Sequence, residues 1–218
     1  MQNELLFFFG CFLITGLVVT CARYAHQHLT LLVVFFGLLA NILVQKQVLL
    51  FGIHATTTDV FAVGSLLSVN FLQRTQGNAA AKRAVLLTFA SFLFFCLVTH
   101  WHHMWIPSAE DTASVHYEHI LSNMPRFFAA SCAAYLVSQY TDIGVFSYVS
   151  KRWKAIPIGL AILISLSISE WIDTVIFSYG ALWGVMSNIT EVLLISYGIK
   201  LLAVGAMALS SQLLYRPQ

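Results

Sequence analysis

Five ionisable side chains stand inside apolar runs of this chain: Asp59, Asp142, Glu170, Asp173 and Lys200. Two of the acids open the same pattern, Asp-x-x-x-Phe-Ser-Tyr, at Asp142–Tyr148 and at Asp173–Tyr179. Gln139 stands three residues before Asp142, so on a helix the two share a face, which Tyr135 and Phe146 extend. In the next run Ser169, Asp173, Thr174 and Phe177 follow at i, i+4, i+5 and i+8. Two antiparallel neighbours of this kind turn acid, amide, hydroxyl and aromatic groups toward each other. That mixture suits a flat, nitrogen-rich heterocycle, whose N–H groups donate to carboxylates while aromatic rings cover its faces. The competing reading is structural, with polar groups holding helices together. Lys200, with Ser196 and Tyr197 one turn before it, is expected to be a counter-ion for Asp142 or Asp173. Contact with a ligand is its second role.

The elements that must carry these residues are membrane helices. Of 218 residues, 59% are hydrophobic and 9% charged, against about 25% charged in an ordinary soluble domain. The mean hydropathy of +0.80 agrees. A transmembrane helix needs about 20 apolar residues. Seven segments approach this: residues 5–21, 29–44, 56–72, 84–101, 127–147, 156–185 and 189–213. The second is short unless it continues through Val48-Leu49-Leu50-Phe51. The sixth is long and is counted once. The reading is a single domain, residues 1–218, of all-α class: a polytopic membrane helical bundle. A signal peptide has a basic flank, whereas Met1-Gln2-Asn3-Glu4 has none, so the first segment is read as a true helix.

Basic residues alternate between loops. Arg23, then Arg74, Lys82 and Arg83, then Lys151, Arg152 and Lys154, then Arg216 fall on one side. Lys46 and the acids Glu4, Glu110, Asp111 and Glu118 fall on the other. The positive-inside rule then puts the N-terminus outside and the C-terminus in the cytoplasm. Each ionised group at mid-membrane costs about 2.5–3.5 kcal/mol on insertion scales. Lys200 neutralises one acid, so the others need partners, protons, water or a ligand. By these limits Asp142 lies toward the cytoplasm, Asp173 nearer the middle and Asp59 near the outer side.

The histidines offer a rival chemistry. His100, His102 and His103 flank Trp101, and His116 and His119 lie in the loop that follows. Imidazole binds metals, yet a Trp-rich helix end is also the expected interfacial belt. No metal is assigned, and a histidine-metal oxidoreductase is the minority reading. Cys11, Cys21, Cys96 and Cys132 lie singly in apolar runs and read as small hydrophobes. Gly77–Arg83 is a turn entering a helix rather than a phosphate-binding loop, and nothing suggests a nucleic-acid surface.

An ordered set of motifs carries a resemblance. It begins with Ala40-Asn41-Ile42-Leu43 and Lys46, then Thr58-Asp59-Val60-Phe61, Gly64-Ser65-Leu66-Leu67 and Asn70. The Gly77 turn into Ala81-Lys82-Arg83 follows, then Arg126, Ser131, Tyr135, Gln139, Asp142 and Phe146. Ser169, Asp173-Thr174, Phe177 and Lys200 complete it. In this order the chain resembles the queuosine precursor transporter family, also called the vitamin uptake transporter or YhhQ-like family. The resemblance implies six core helices over about residues 29–213, with residues 5–21 as an added N-terminal helix. It implies no enzyme activity and no cofactor. It implies import of a 7-deazaguanine base, with a 7-cyano or 7-aminomethyl group or as queuine, through a bacterial inner membrane. The adjacent N–H donors of a guanine-like edge match one carboxylate bidentately. Asp142, Asp173 and Gln139 would contact the base beside Thr174 and Phe177. Asn41, Asp59 and Arg126 would line the outer entrance, and Lys200 would balance charge. The partners implied are the base and the bilayer, with a homo-oligomer compatible. A partner ATPase enters only if the chain is instead a substrate-binding subunit of an energy-coupling vitamin importer. Gln73 departs from the pattern, standing where many relatives would carry an acid.

Overall fold

The computed structural model describes residues 2–43, 46–56, 58–115, 117, 124–183 and 189–214, and gives the backbone alone for 47, 53, 54, 56, 124–128 and 182. Seven long helices are described: α1 (Gln2–Tyr24), α2 (Leu29–Leu43), α3 (Asp59–Gln76), α4 (Asn78–His103), α5 (Met124–Arg152), α6 (Ile158–Leu182) and α7 (Ile189–Leu214). Five of them are long and apolar enough to cross a bilayer: α1, α2 with the short 3-10 turn before it, α4, α6 and α7. The two that fall short of that measure, α3 and α5, are the helices richest in interior polar side chains. α3 carries Asp59, Ser65, Ser68, Asn70 and Gln73, and α5 carries Ser138, Gln139 and Asp142, all buried. α3, the interior one, has no lipid face to satisfy, so its composition is released from the apolar rule, whereas α5 keeps an outward face at Val137, Tyr140 and Tyr148.

The packing follows from that difference. α3 contacts each of the other six helices. Around it α2, α4, α5, α6, α7 and α1 succeed one another as neighbours, and α1 touches α2 to close the ring. Residues Val63 to Gln73 of α3 are buried on every side. The outer helices turn large apolar side chains such as Phe9, Phe12, Phe94, Leu97, Leu202 and Leu209 outward, as a lipid-facing surface requires. Gly64 lets α1 approach α3, because a Cβ there would lie 2.7 Å from Ile14 Cγ2. The first helix packs on both α3 and α7. The expected division into six core helices and an addition is therefore not visible in the packing.

The continuation of the second segment through Val48–Phe51 is not realised. The apolar run after α2 does not lengthen that helix. It forms a hairpin, β1 (Gln47–Leu50) and β2 (Ile53–Thr56), so the fold is not purely α-helical. Val48 pairs with Ala55 and Leu49 with His54. The two linking residues, Phe51 and Gly52, both have positive φ, at 54° and 80°. That is the turn whose twist matches two antiparallel strands. The first helix clips the hairpin down: Phe51 N–H donates to Glu4 Oε1 at 3.0 Å, and Asn3 Nδ2 donates to Leu49 O at 3.0 Å. α3 starts immediately after it and spans only 18 residues, about 27 Å at 1.5 Å per residue. Its first residue, Asp59, is thus set inward and is buried.

A buried column of charge inside the bundle

The polar side chains of α3, α5, α6 and α7 meet in the interior. α6 presents two adjacent rows inward at four-residue spacing. One runs Ile158, Ile162, Leu166, Glu170 and Thr174, and the other runs Ser165, Ser169 and Asp173. All are buried except the half-buried Asp173. α7 opposes them with Lys200, 6% exposed.

Lys200 Nζ lies 2.6 Å from Asp173 Oδ2 and 2.9 Å from Glu170 Oε2. The field of Asp59 reaches the same lysine and Glu170. Lys200 is therefore the counter-ion of Asp173, as expected, and of Glu170. It is not the counter-ion of Asp142. A lysine buried among acids holds its place only because each charge answers another, and removing one partner from such a set typically costs about 3–5 kcal/mol.

Asp142 belongs to a second group, displaced along the bundle. It lies ten residues from the end of α5, about 15 Å inward. Its exposure is 0%. Asn70 of α3 and Ser165 and Ser169 of α6 are its polar neighbours, and Glu170 lies within electrostatic range. The donors here are engaged elsewhere. Ser169 Oγ donates to Ser165 O at 2.8 Å, Asn70 Nδ2 to Ser165 Oγ at 3.2 Å and Ser165 Oγ to Ile162 O at 3.3 Å. Gln139 Nε2 leans on Ser65 Oγ at 3.5 Å, while Ser65 Oγ donates to Val33 O at 3.0 Å. The acceptors are different. Asp142 Oδ1 and Oδ2, Asn70 Oδ1, Gln139 Oε1 and Glu170 Oε1 are buried and make no hydrogen bond to another described group. A buried polar atom left so costs roughly 1–3 kcal/mol, more when charged. The five acceptors outnumber the buried Tyr135 hydroxyl, which also makes no hydrogen bond and shares the inward face of α5, so the place calls for further hydrogen-bond donors. Tyr135 roofs this end, its ring edge-on to Phe92 at 5.0 Å.

The sequence-predicted residues fall out unevenly. Tyr135, Gln139, Asp142 and Phe146 do share the inward face of α5. Thr174 is buried, but its hydroxyl donates to Glu170 O of its own helix at 2.7 Å. Phe177 is half-buried. Asn41 donates to Gly37 O of its own helix at 3.1 Å and is not among the column's contacts. The Arg126 side chain lies outside the described residues. Asn70, Ser165 and Glu170 join the column without having been singled out for it. The four-residue row from Ile158 was the available signal for Glu170, because it carries that side chain to the same interior as Leu166.

Toward the basic end Gln73 closes the bundle. Its Nε2 lies 2.9 Å from Ile143 O, 2.7 Å from Ser147 Oγ and 3.0 Å from Asn78 Oδ1, joining α3, α4 and α5. An apolar groove of about 360 Å3 between α5 and α6, lined by Tyr148, Trp153 and Ile168 among others, opens outward and reaches none of the column. Among the described residues no three histidine, cysteine or acidic side chains converge as a metal site. His116 and His119 lie outside the described residues.

Long lipid-facing helices around a polar interior helix define a multi-pass membrane protein, and a buried charged column within it is the hallmark of a transport path. Residues 56–210 match the family model described as "Putative vitamin uptake transporter", and the chain belongs to that family. It is also similar to the "Probable queuosine precursor transporter" of Bacillus subtilis (strain 168), 29% identical over 152 residues. That match covers 69% of this chain and 66% of the relative, slightly less than two thirds of its length. No solved structure gives a significant match.

Proposed function

We propose that the chain imports a queuosine precursor, a 7-deazaguanine base, into the cytoplasm across a bacterial inner membrane. The observation that carries this reading is the set of buried acceptor atoms around Asp142 that make no hydrogen bond to a described group. A guanine-like base supplies what is missing: a ring N–H beside an exocyclic amino group, which one carboxylate takes bidentately. Asn70, Gln139 and Asp142 hold that edge, and Tyr135 with Phe92 covers the flat face. Asp173 and Lys200 order the wall beside it. Passage requires the bundle to open alternately to either side of a central site. The basic residues at the ends of α3 and α5 support a cytoplasmic position for the Gln73 end and an external N-terminus.

The test is uptake of labelled 7-deazaguanine bases into vesicles containing this chain alone. Accumulation of the bases above the level of protein-free vesicles, and competition among them, supports the reading. Uptake that appears only when a partner ATPase is supplied would contradict it in favour of a substrate-binding subunit.

A further inference from the structure

Among the described residues the column joins Asp59, Asp142, Glu170 and Asp173 with Lys200. Lys200 lies between Glu170 and Asp173, and Glu170 Oε1 still has no hydrogen-bond partner among the described residues. Glu170 stands beside Ser169 and within range of Asp142. Two buried carboxyl groups thus present free acceptor atoms to the same interior, one from α5 and one from α6. The donors that a neutral acceptor on a ligand would need are already held: Ser165, Ser169 and Thr174 by carbonyls of their own helix, and Lys200 by carboxylates.

We propose that Asp142 and Glu170 form a two-point acidic clamp that selects a cationic ligand, taking the N–H edge of the base at Asp142 and an ammonium group on its 7-substituent at Glu170. This inference rests on the queuosine-precursor reading and deepens it. The 7-aminomethyl base carries a protonated amine at neutral pH and puts it on the side of the ring away from the paired N–H donors. The 7-cyano base offers only an acceptor there, and would face Glu170 with no donor between them. A charge-assisted hydrogen bond is roughly twice as strong as a neutral one, which favours a cationic substituent at Glu170.

Binding of 7-aminomethyl-7-deazaguanine, 7-cyano-7-deazaguanine and guanine to the purified full chain decides the matter. The aminomethyl base should bind at least about tenfold more tightly than the cyano base. Glu170→Gln should collapse that ratio to less than about threefold, and Glu170→Asp should restore part of it. Equal or tighter binding of the cyano base to the wild-type protein overturns the clamp while leaving the transport reading intact. A ratio unchanged in a folded Glu170→Gln protein overturns the role of Glu170. Failure of all the bases to bind overturns both readings together. The wild-type ratio needs no variant, so a Glu170→Gln protein that does not fold still leaves the clamp open to refutation.

Discussion

The two halves of the buried column obey different rules. Around Lys200, opposite charges sit at 2.6 and 2.9 Å. Around Asp142, a fully buried carboxyl group and two amides hold acceptor atoms that make no hydrogen bond to a described group. Both halves are built on α6 and lie inside the bundle, so burial alone does not separate them. Satisfaction does. A paired cluster in a membrane interior holds helices in place, and its integrity is a condition of folding. An unpaired cluster costs stability in every molecule that carries it, and sequences keep such costs where function requires them. The account therefore assigns the Lys200 half to architecture, with Glu170 at the junction, and the Asp142 half to recognition.

Substitutions that act on one half alone put this division at risk. The largest effect is expected from Lys200→Ala, which leaves Glu170 and Asp173 unpaired. It should lower stability by about 3–5 kcal/mol, seen as a large drop in melting temperature in detergent. A Lys200→Ala protein that melts with the wild type would mean the pair is not architectural. Gln73→Ala removes the link among α3, α4 and α5 but touches neither half. It should cost about 1–2 kcal/mol and leave the preference among bases unchanged, so a changed preference would extend the recognition half to the basic end. Asn70→Leu removes an amide whose oxygen has no partner but whose nitrogen donates to Ser165 Oγ at 3.2 Å, so it should lower stability by about 1–2 kcal/mol while affinity for the base falls roughly tenfold. Unchanged affinity would remove Asn70 from the site. The smallest effect belongs to Asp111, far from both halves, where hydrogen bonds from Ser114 Oγ and Ala113 N–H hold the exposed carboxyl group below its usual range. Because its folded value is depressed, any contribution is present above the usual carboxylate range and is lost as pH falls through the folded value. Asp111→Asn should leave both melting at neutral pH and base binding unchanged.

Much of this was legible in the residues before the fold was known. The face Tyr135, Gln139, Asp142 and Phe146 follows from helical spacing, and α5 presents it inward. The pairing of Lys200 with Asp173 follows from the need to neutralise buried charge. Glu170 is legible as an acid in an apolar run but not as a site residue, because the repeated Asp-x-x-x-Phe-Ser-Tyr pattern points to Asp142 and Asp173; that repeat has no counterpart in the packing, where the two sit in opposite halves. The hairpin escaped because Val48–Phe51 is apolar enough to extend α2, and a run of four cannot separate helix from strand by periodicity. That miss had a consequence. Turning the chain back at Phe51 and Gly52 makes α3 short and sets Asp59 inward, within the field of Lys200, where hydropathy alone had placed it near the outer surface. The central position of α3 was likewise hidden, since its polar residues lower the very hydropathy by which spans are recognised.

The division is tested most directly by Asp142→Asn, measured for melting temperature and for binding of 7-aminomethyl-7-deazaguanine on the same preparation. Asp142 has no hydrogen-bond partner to lose, so the variant should melt at or slightly above the wild-type temperature while its affinity falls by roughly thirtyfold or more. A variant that melts much lower than wild type and still binds the base at full affinity would contradict the account, because Asp142 would then be holding the bundle together and not the ligand.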